Sequence, residues 1–243
     1  MHIIFENENL VVIDKPAGIL VHPTEKHEPN TLVDFITNQW PEIKKYTWPD
    51  PTRPGIVHRL DQDTSGTIII AKSPDTLKFL QDQFKSHNLK KIYLALVIGH
   101  VTPEKGEIIT QISRDRKSSS AKQKISSFSF SWQKSKSREA ITYYKVLKYF
   151  TYKNQPLTLL ELEIKTGRTH QIRAQLSGKN WPIIGDMLYN NKDSKNISQL
   201  LNLNRQFLHA KELEISISPH ERKKFISPLP KELDNILRNI SIN

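Results

Sequence analysis

Six short runs rich in β-branched, aromatic and aliphatic residues recur along this chain, at residues 3–6, 10–14, 67–71, 92–98, 140–150 and 157–164. The gaps 7–9 and 151–156 are too short for the helical crossover that joins parallel neighbours. Such neighbours must turn straight back on one another, which favours antiparallel pairing. The expected fold class is therefore α+β, with a mixed, mostly antiparallel central sheet and flanking helices and loops. Alternation of apolar and polar residues within the runs fits strands with one buried face. Leu157, Leu159, Leu160, Leu162 and Ile164 read as one such strand, buried mostly on one side.

Helices are expected between the runs. Ser73-Pro74-Asp75 supplies an N-cap, a proline at the first helical position and a first-turn acid, with Leu77, Leu80 and Phe84 following on one face. Other candidates are 31–40 after Asn30, 171–176 capped by Thr169 and stopped at Gly178, and 231–240. No repeat or low-complexity linker divides the 243 residues, so a single domain over 1–243 is expected. The chain has no cysteine, which excludes disulfides, thiolate metal sites and cysteine nucleophiles. Its opening residues lack the pattern of a signal peptide, and its apolar runs are far shorter than the roughly 20 residues of a membrane helix. A cytoplasmic monomer without a membrane partner is the expectation.

The charge balance points to a polyanion. Lys and Arg number 36 against 25 Asp and Glu, a formal charge of +11. Neutralising phosphates releases counterions and so supplies affinity for nucleic acid. The surplus is clustered: residues 114–138 hold eight basic side chains against one acid, Asp115, interleaved with Phe128, Phe130 and Trp132. Such a segment suits a hairpin that grips an RNA backbone, although a solvated loop has the same composition.

Two stretches carry reactive groups. In the first, residues 54–67, a polar loop holding His58, Arg59, Asp61 and Asp63 stands between an apolar entry and a strand. Rigid scaffolds present reactive groups on loops of this kind, yet Asp-Thr-Ser-Gly is also an ordinary turn. In the second, residues 165–173, a strand ends in a Gly turn and opens a helix with Arg168 and Arg173 near its start. That is an anion-binding arrangement, or a plain helix start with solvated arginines.

His58-Arg59-Leu60-Asp61-Gln62-Asp63-Thr64-Ser65-Gly66 resembles the active-site signature of RluA-family pseudouridine synthases. Other stretches resemble family elements in the expected order. They are Asp14-Lys15-Pro16-Ala17-Gly18-Ile19-Leu20-Val21-His22-Pro23, residues 91–99 around Tyr93, residues 166–173, Pro182-Ile183-Ile184-Gly185-Asp186 with Tyr189, Leu208-His209-Ala210, and Ser227-Pro228-Leu229-Pro230. Together they span about residues 5 to 237.

The resemblance implies the pseudouridine synthase catalytic fold and isomerisation of specific uridines in rRNA or tRNA. Neither a cofactor nor a metal is called for, because the N1–C1′ bond breaks and the same uracil rejoins through C5. Asp61 is implied as the nucleophile, with Arg173 as its salt-bridge partner, and Tyr93 as the residue that stacks on the uracil and assists proton removal from C5. An opposite charge matters because Asp61 must stay ionised where water is excluded. Leu208 is implied as a pocket wall, and Arg59 as the side chain that fills the space left by a flipped base. His58 is read as a loop-ordering residue close to the RNA. Arg168, His170 and Gln171 with Arg114, Arg116 and Lys117 complete the expected RNA contacts.

Departures from the family pattern touch Ala174-Gln175, where relatives often have Val-His, and the basic segment 114–138. No S4-type domain is expected ahead of Ile3, so target choice falls to the catalytic domain. Two rival readings compete with isomerisation. One is a metal hydrolase on His58, Asp61, Asp63, His170, His209 and Asp186, which lacks any paired-ligand spacing. The other is a catalytically inactive RNA-binding protein of the same fold.

Overall fold

The computed structural model describes residues 1–23, 30–114, 122–126 and 137–242. Arg116, Lys117, Phe128, Phe130 and Trp132 of the basic segment lie outside the described residues. In chain order the elements are β1 (His2–Glu6), β2 (Leu10–Lys15), α1 (Leu32–Gln39), a 3-10 helix (Pro41–Lys45), β3 (Ser65–Ala71), α2 (Pro74–Lys85) and β4 (Lys90–Ile98). There follow β5 (Lys105–Arg114), β6 (Gln123–Ser126), β7 (Arg138–Tyr152), β8 (Gln155–Ile164), α3 (Gln171–Gly178) and α4 (Lys192–Leu200). The chain closes with β9 (Leu208–Ser218), β10 (Glu221–Ile226) and α5 (Lys231–Ile242). The fold is α+β and its sheet is mostly antiparallel. The chain divides into two compact units, residues 1–91 with 210–228 and residues 92–209 with 229–243.

The first unit is built on the order β1-β2-β3-β9, with β10 beside β9. β1 with β2, β2 with β3 and β9 with β10 are antiparallel. Leu10 to Ile13 and Ile68 to Ala71 have no exposed surface, which explains why these strands read as continuous apolar runs rather than alternating ones. Gly66, at φ +119°, sits against the backbone of Ala210, where any side chain would strike the neighbouring strand. α2 starts as its sequence predicts: the Ser73 hydroxyl accepts the Thr76 N–H at 3.3 Å. Its Gln83 amide then exchanges two 2.9 Å hydrogen bonds with the backbone of Ser216.

The second unit is the antiparallel sheet β4-β8-β7-β5-β6. Gln175 on α3 is fully buried. Its amide donates to Ile108 O, Thr110 Oγ1 and Ala140 O at 3.0–3.1 Å and accepts from Thr142 Oγ1 at 2.6 Å. The departure at Ala174-Gln175 thus ties a helix to β5 and β7. α3 does not begin as expected: His170, not Thr169, occupies the N-cap, in the left-handed region at φ 53° and without a side-chain cap. The Gln171 carboxamide oxygen accepts the Arg168 N–H at 3.1 Å and so closes the turn ahead of the helix.

All six expected runs form strands. β5, β6, β9 and β10 and the helix α4 are additional. β10 buries only Phe225, and α4 is mostly polar and held by an Asn191/Ser194 capping box, so neither shows an apolar run.

Candidate active site

In the first unit the site is a stapled pair of loops. Lys15, at the end of β2, is fully buried, and its ammonium donates to Pro16 O at 2.8 Å and to Ile19 O and Gln62 O at 2.9 Å. Gly18 N–H donates to the same Gln62 carbonyl at 3.0 Å, and the Gln62 amide returns a bond to Gly18 O at 3.2 Å. Two motifs more than forty residues apart therefore fold as one structure around a buried cation. That structure holds the backbone directly after Asp61. Thr64 N–H closes the turn on Asp61 O at 3.1 Å, and Thr64 and Ser65 are buried. Asp61 itself is half-buried. Asp14, in the same first motif, accepts the Ser227 hydroxyl at 2.7 Å, which draws Ser227 into this unit.

His58 enters the loop from the side of α2. Its ring stacks on Phe84 with centroids 4.7 Å apart, and Nε2 accepts the Ile69 N–H at 3.3 Å, so the proton of the neutral ring resides on Nδ1. Desolvation, helped by the Lys91 charge, pushes the imidazole down to about 3. This histidine is neutral at physiological pH and orders the loop. Arg59 is exposed.

In the second unit Tyr93 lies on β4 opposite Leu162 and is buried, as is Leu208 at the start of β9. Arg173 on α3 is buried, and its Nε and Nη2 donate to Asp186 Oδ2 and Oδ1 at 2.6 and 2.9 Å. Asp186 Oδ1 also accepts the N–H groups of Leu188 and Tyr189 at 2.8 and 2.9 Å. Burial raises the Asp186 carboxyl, but Arg173 and these N–H groups outweigh it and hold the group below its ordinary value. The Tyr189 ring lies 5.3 Å from the Arg173 guanidinium and 5.6 Å from the Lys122 ammonium. Its hydroxyl accepts the Gln123 N–H at 2.6 Å and pairs with His170 Nδ1 at 3.2 Å. Tyr189 thereby fastens β6, which lies within the basic segment, to the Arg173–Asp186 pair.

The expected RNA contacts differ in what they are free to do. Arg168 is half-buried, its Nε donating to Glu139 O at 3.0 Å, and Arg114 is exposed at the end of β5. Gln171 is buried and committed to the scaffold: its amide donates to Ile141 O and Thr142 Oγ1 and accepts from Thr166 Oγ1 and Arg168 N–H. Among the described residues no three His, Asp or Glu side chains converge as metal ligands. Three side chains of the rival hydrolase set are engaged elsewhere, His58 with Ile69, His170 with Tyr189 and Asp186 with Arg173. Sequence reasoning gave Lys15 no role of its own and gave Asp186 no partner, naming it only within a family-like stretch and in that hydrolase set. A lysine inside an apolar strand end and an acid beside a buried arginine were the available signals.

The profile of the family described as RNA pseudouridylate synthase matches residues 9–178. The ribosomal large subunit pseudouridine synthase D of Borreliella burgdorferi is 38% identical over 239 residues, 98% of this chain and 68% of the relative. An uncharacterized RNA pseudouridine synthase of Chloroflexus aurantiacus is 38% identical over 229 residues, 93% of this chain and 65% of its own length. The chain spans about two thirds of the length of these relatives. Among solved structures, human RNA pseudouridylate synthase domain containing 4 superposes with a TM-score of 0.73 at 24% identity, over 98% of this chain and 92% of that one.

Proposed function

This chain belongs to the RluA family of RNA pseudouridine synthases, the isomerases that turn uridine in RNA into pseudouridine, and we propose that it performs this isomerisation with Asp61 as nucleophile. The observation that carries the assignment is the stapled loop pair: Lys15 and Gly18 fasten the backbone after Asp61 from inside the fold. A reactive carboxylate needs a fixed position, and a rigid supporting shell supplies it.

The reaction conserves atoms. The N1–C1′ bond breaks, the uracil turns, and C5 bonds to C1′; the proton lost from C5 is balanced by one gained at N1. Asp61 attacks C1′, or assists loss of the 2′ proton toward a glycal; both routes use the same ionised carboxylate. Tyr93 is assigned to stack on the uracil and to assist proton removal from C5, with Leu208 as the pocket wall. Arg173 is assigned as the counter-charge of Asp61, and its bidentate bond to Asp186 supports a fixed guanidinium orientation. Arg59, Arg168, His170 and Arg114 are assigned to the RNA, which is ribosomal or transfer RNA. Gln171 supports that surface from beneath.

The test is release of tritium from RNA labelled at C5 of uridine. Wild type should release it and Asp61→Asn should not, while binding of the same RNA stays within about threefold, because the basic surface is untouched. Turnover of Asp61→Asn within tenfold of wild type would refute the assignment.

A further inference from the structure

We propose that Tyr189 is a positioning residue for the RNA substrate: its hydroxyl pins the basic strand β6 and so holds the strand's cations in fixed register with Arg173. Every group involved belongs to the second unit. The proposal rests on the RNA-modifying reading above and deepens it, giving a role to a residue that the motifs include without one.

Tyr189 is a fixed point. The residue is only 4% exposed. Its N–H donates to Asp186 Oδ1 at 2.9 Å, the same oxygen that accepts Arg173 Nη2, and its ring lies 5.3 Å from the Arg173 guanidinium. Asn190 closes the same turn, its side chain donating to Asp186 O at 2.9 Å. Backbone and ring are therefore both set against a buried, bidentate ion pair, and the hydroxyl projects from there at a defined place.

From that place the hydroxyl reaches two other elements. It accepts the N–H of Gln123, the first residue of β6, at 2.6 Å, and pairs with His170 Nδ1 at 3.2 Å. β6 needs such a tie, because it has only four residues and stands at the edge of the sheet, paired with β5. Gln123 and Ile125 are half-buried while Lys124 and Ser126 are exposed, so alternate side chains turn inward and outward. Ile125 stands over Gly178 at the end of α3, where a side chain would strike it. His170 is held in the left-handed region at φ 53°, a conformation that a non-glycine residue keeps only where its surroundings fix it. The bond to Tyr189 is one of those constraints.

The pinned strand presents cations. The Lys122 ammonium lies 5.6 Å from the Tyr189 ring, Lys124 is exposed, and Arg114 faces Gln123 across the β5–β6 ladder. None of the three has an ion-pair partner among the described residues. Uncompensated cations on a sheet edge fit a polyanion. A cation neutralises a phosphate only where the phosphate passes, so the placing of β6 decides how many of these contacts form. The side chain that places it also packs on the guanidinium assigned above to the reaction, and the RNA backbone is thereby gripped at a set distance from that group.

The experiment measures binding of a uridine-containing RNA stem-loop by the full chain at several salt concentrations, in the Asp61→Asn background so that no turnover intervenes. Tyr189→Phe keeps the ring and the N–H and removes only the hydroxyl. It should weaken binding about three- to tenfold, the worth of one hydrogen bond, and lower the salt slope by about 0.7 to 0.9 for each phosphate no longer met. Gln123→Pro removes the other partner of the same bond, at the first residue of a strand, where proline is tolerated. Together the two changes should weaken binding by less than the product of their separate effects. Urea unfolding of each variant gives the folded fraction, and affinities are compared per folded molecule. Single-turnover tritium release by the same variants with Asp61 intact supplies a second readout: the RNA concentration for half-maximal rate should rise by the factor seen in binding. Binding by Tyr189→Phe within about twofold of its parent, the low end of a hydrogen bond's worth, with an unchanged salt slope overturns the proposal. Strictly multiplicative effects of the two variants, or a loss confined to the maximal rate, overturn it as well. If the chain with Asp61 intact releases no tritium while Tyr189→Phe still weakens binding, the isomerase reading falls and the positioning of β6 stands.

Discussion

His58 offers a quantitative check on how the Asp61 loop is built, through the perturbation His58→Gln. The wild-type imidazole is stacked on Phe84, accepts the Ile69 N–H, and has its pKa pushed down to about 3 from an ordinary 6.5. The folded protein therefore refuses a proton that the unfolded chain accepts. The stability conferred by the neutral ring is fully present above about pH 6.5 and is lost as pH falls toward the folded value near 3. Each pH unit within that window costs about 1.4 kcal/mol, so lowering the pH from roughly 7.5 to 4.5 should cost about 2.7 kcal/mol from this residue alone. The side chain retains an intermediate exposure, and solvent screening makes that figure a ceiling. The chain has nine histidines, so the informative quantity is a difference between proteins. Urea unfolding of wild type and His58→Gln, each at several pH values, gives it. Gln is neutral throughout, and the gap between the two should narrow or reverse by about 1 to 3 kcal/mol on acidification. A gap that stays constant to within about 0.5 kcal/mol, below the single-unit increment, would refute a buried neutral histidine. So would an imidazole resonance of His58 that titrates near its ordinary value.

Three further outcomes are expected. Asp186→Asn should destabilise the protein by about 3 to 5 kcal/mol, read by urea unfolding, because it removes the carboxylate of a buried, bidentate ion pair; adding Arg173→Met should restore part of the loss. Lys15→Met should cost several kcal/mol, at about 1.5 to 3 for each of the charged hydrogen bonds it removes, and should raise amide hydrogen exchange in residues 16–22 and 61–64 together. Replacing Arg114, Lys122, Lys124 and Arg138 by Gln should weaken RNA binding and lower its salt slope by about 0.7 to 0.9 for each phosphate left without its cation; an unchanged slope would mark this surface as solvated only.

Much of this protein is legible without coordinates, because it rests on local rules. The six strand runs, the Ser73-Pro74 helix start and the polar loop holding Asp61 follow from side-chain period, capping chemistry and turn formers, each acting over a few residues. Motifs in sequence order likewise identified the family. What the sequence could not express is pairing across distance. β10 and α4 hold few apolar residues, and β10 is held by its pairing with β9, which the sequence does not name. Thr169 looked like the cap of α3, yet His170 takes that position without a side-chain bond, and Gln171 reaches back to the Arg168 N–H ahead of the helix. Lys15 drew no role of its own from the sequence; the fold closes three carbonyls around it, one of them from the loop of Asp61. Asp186 had no partner in sequence; the fold sets it against Arg173. A charge can be buried only where tertiary structure assembles its partners, so the buried ionic groups of this site were decided by the fold and by nothing shorter in range.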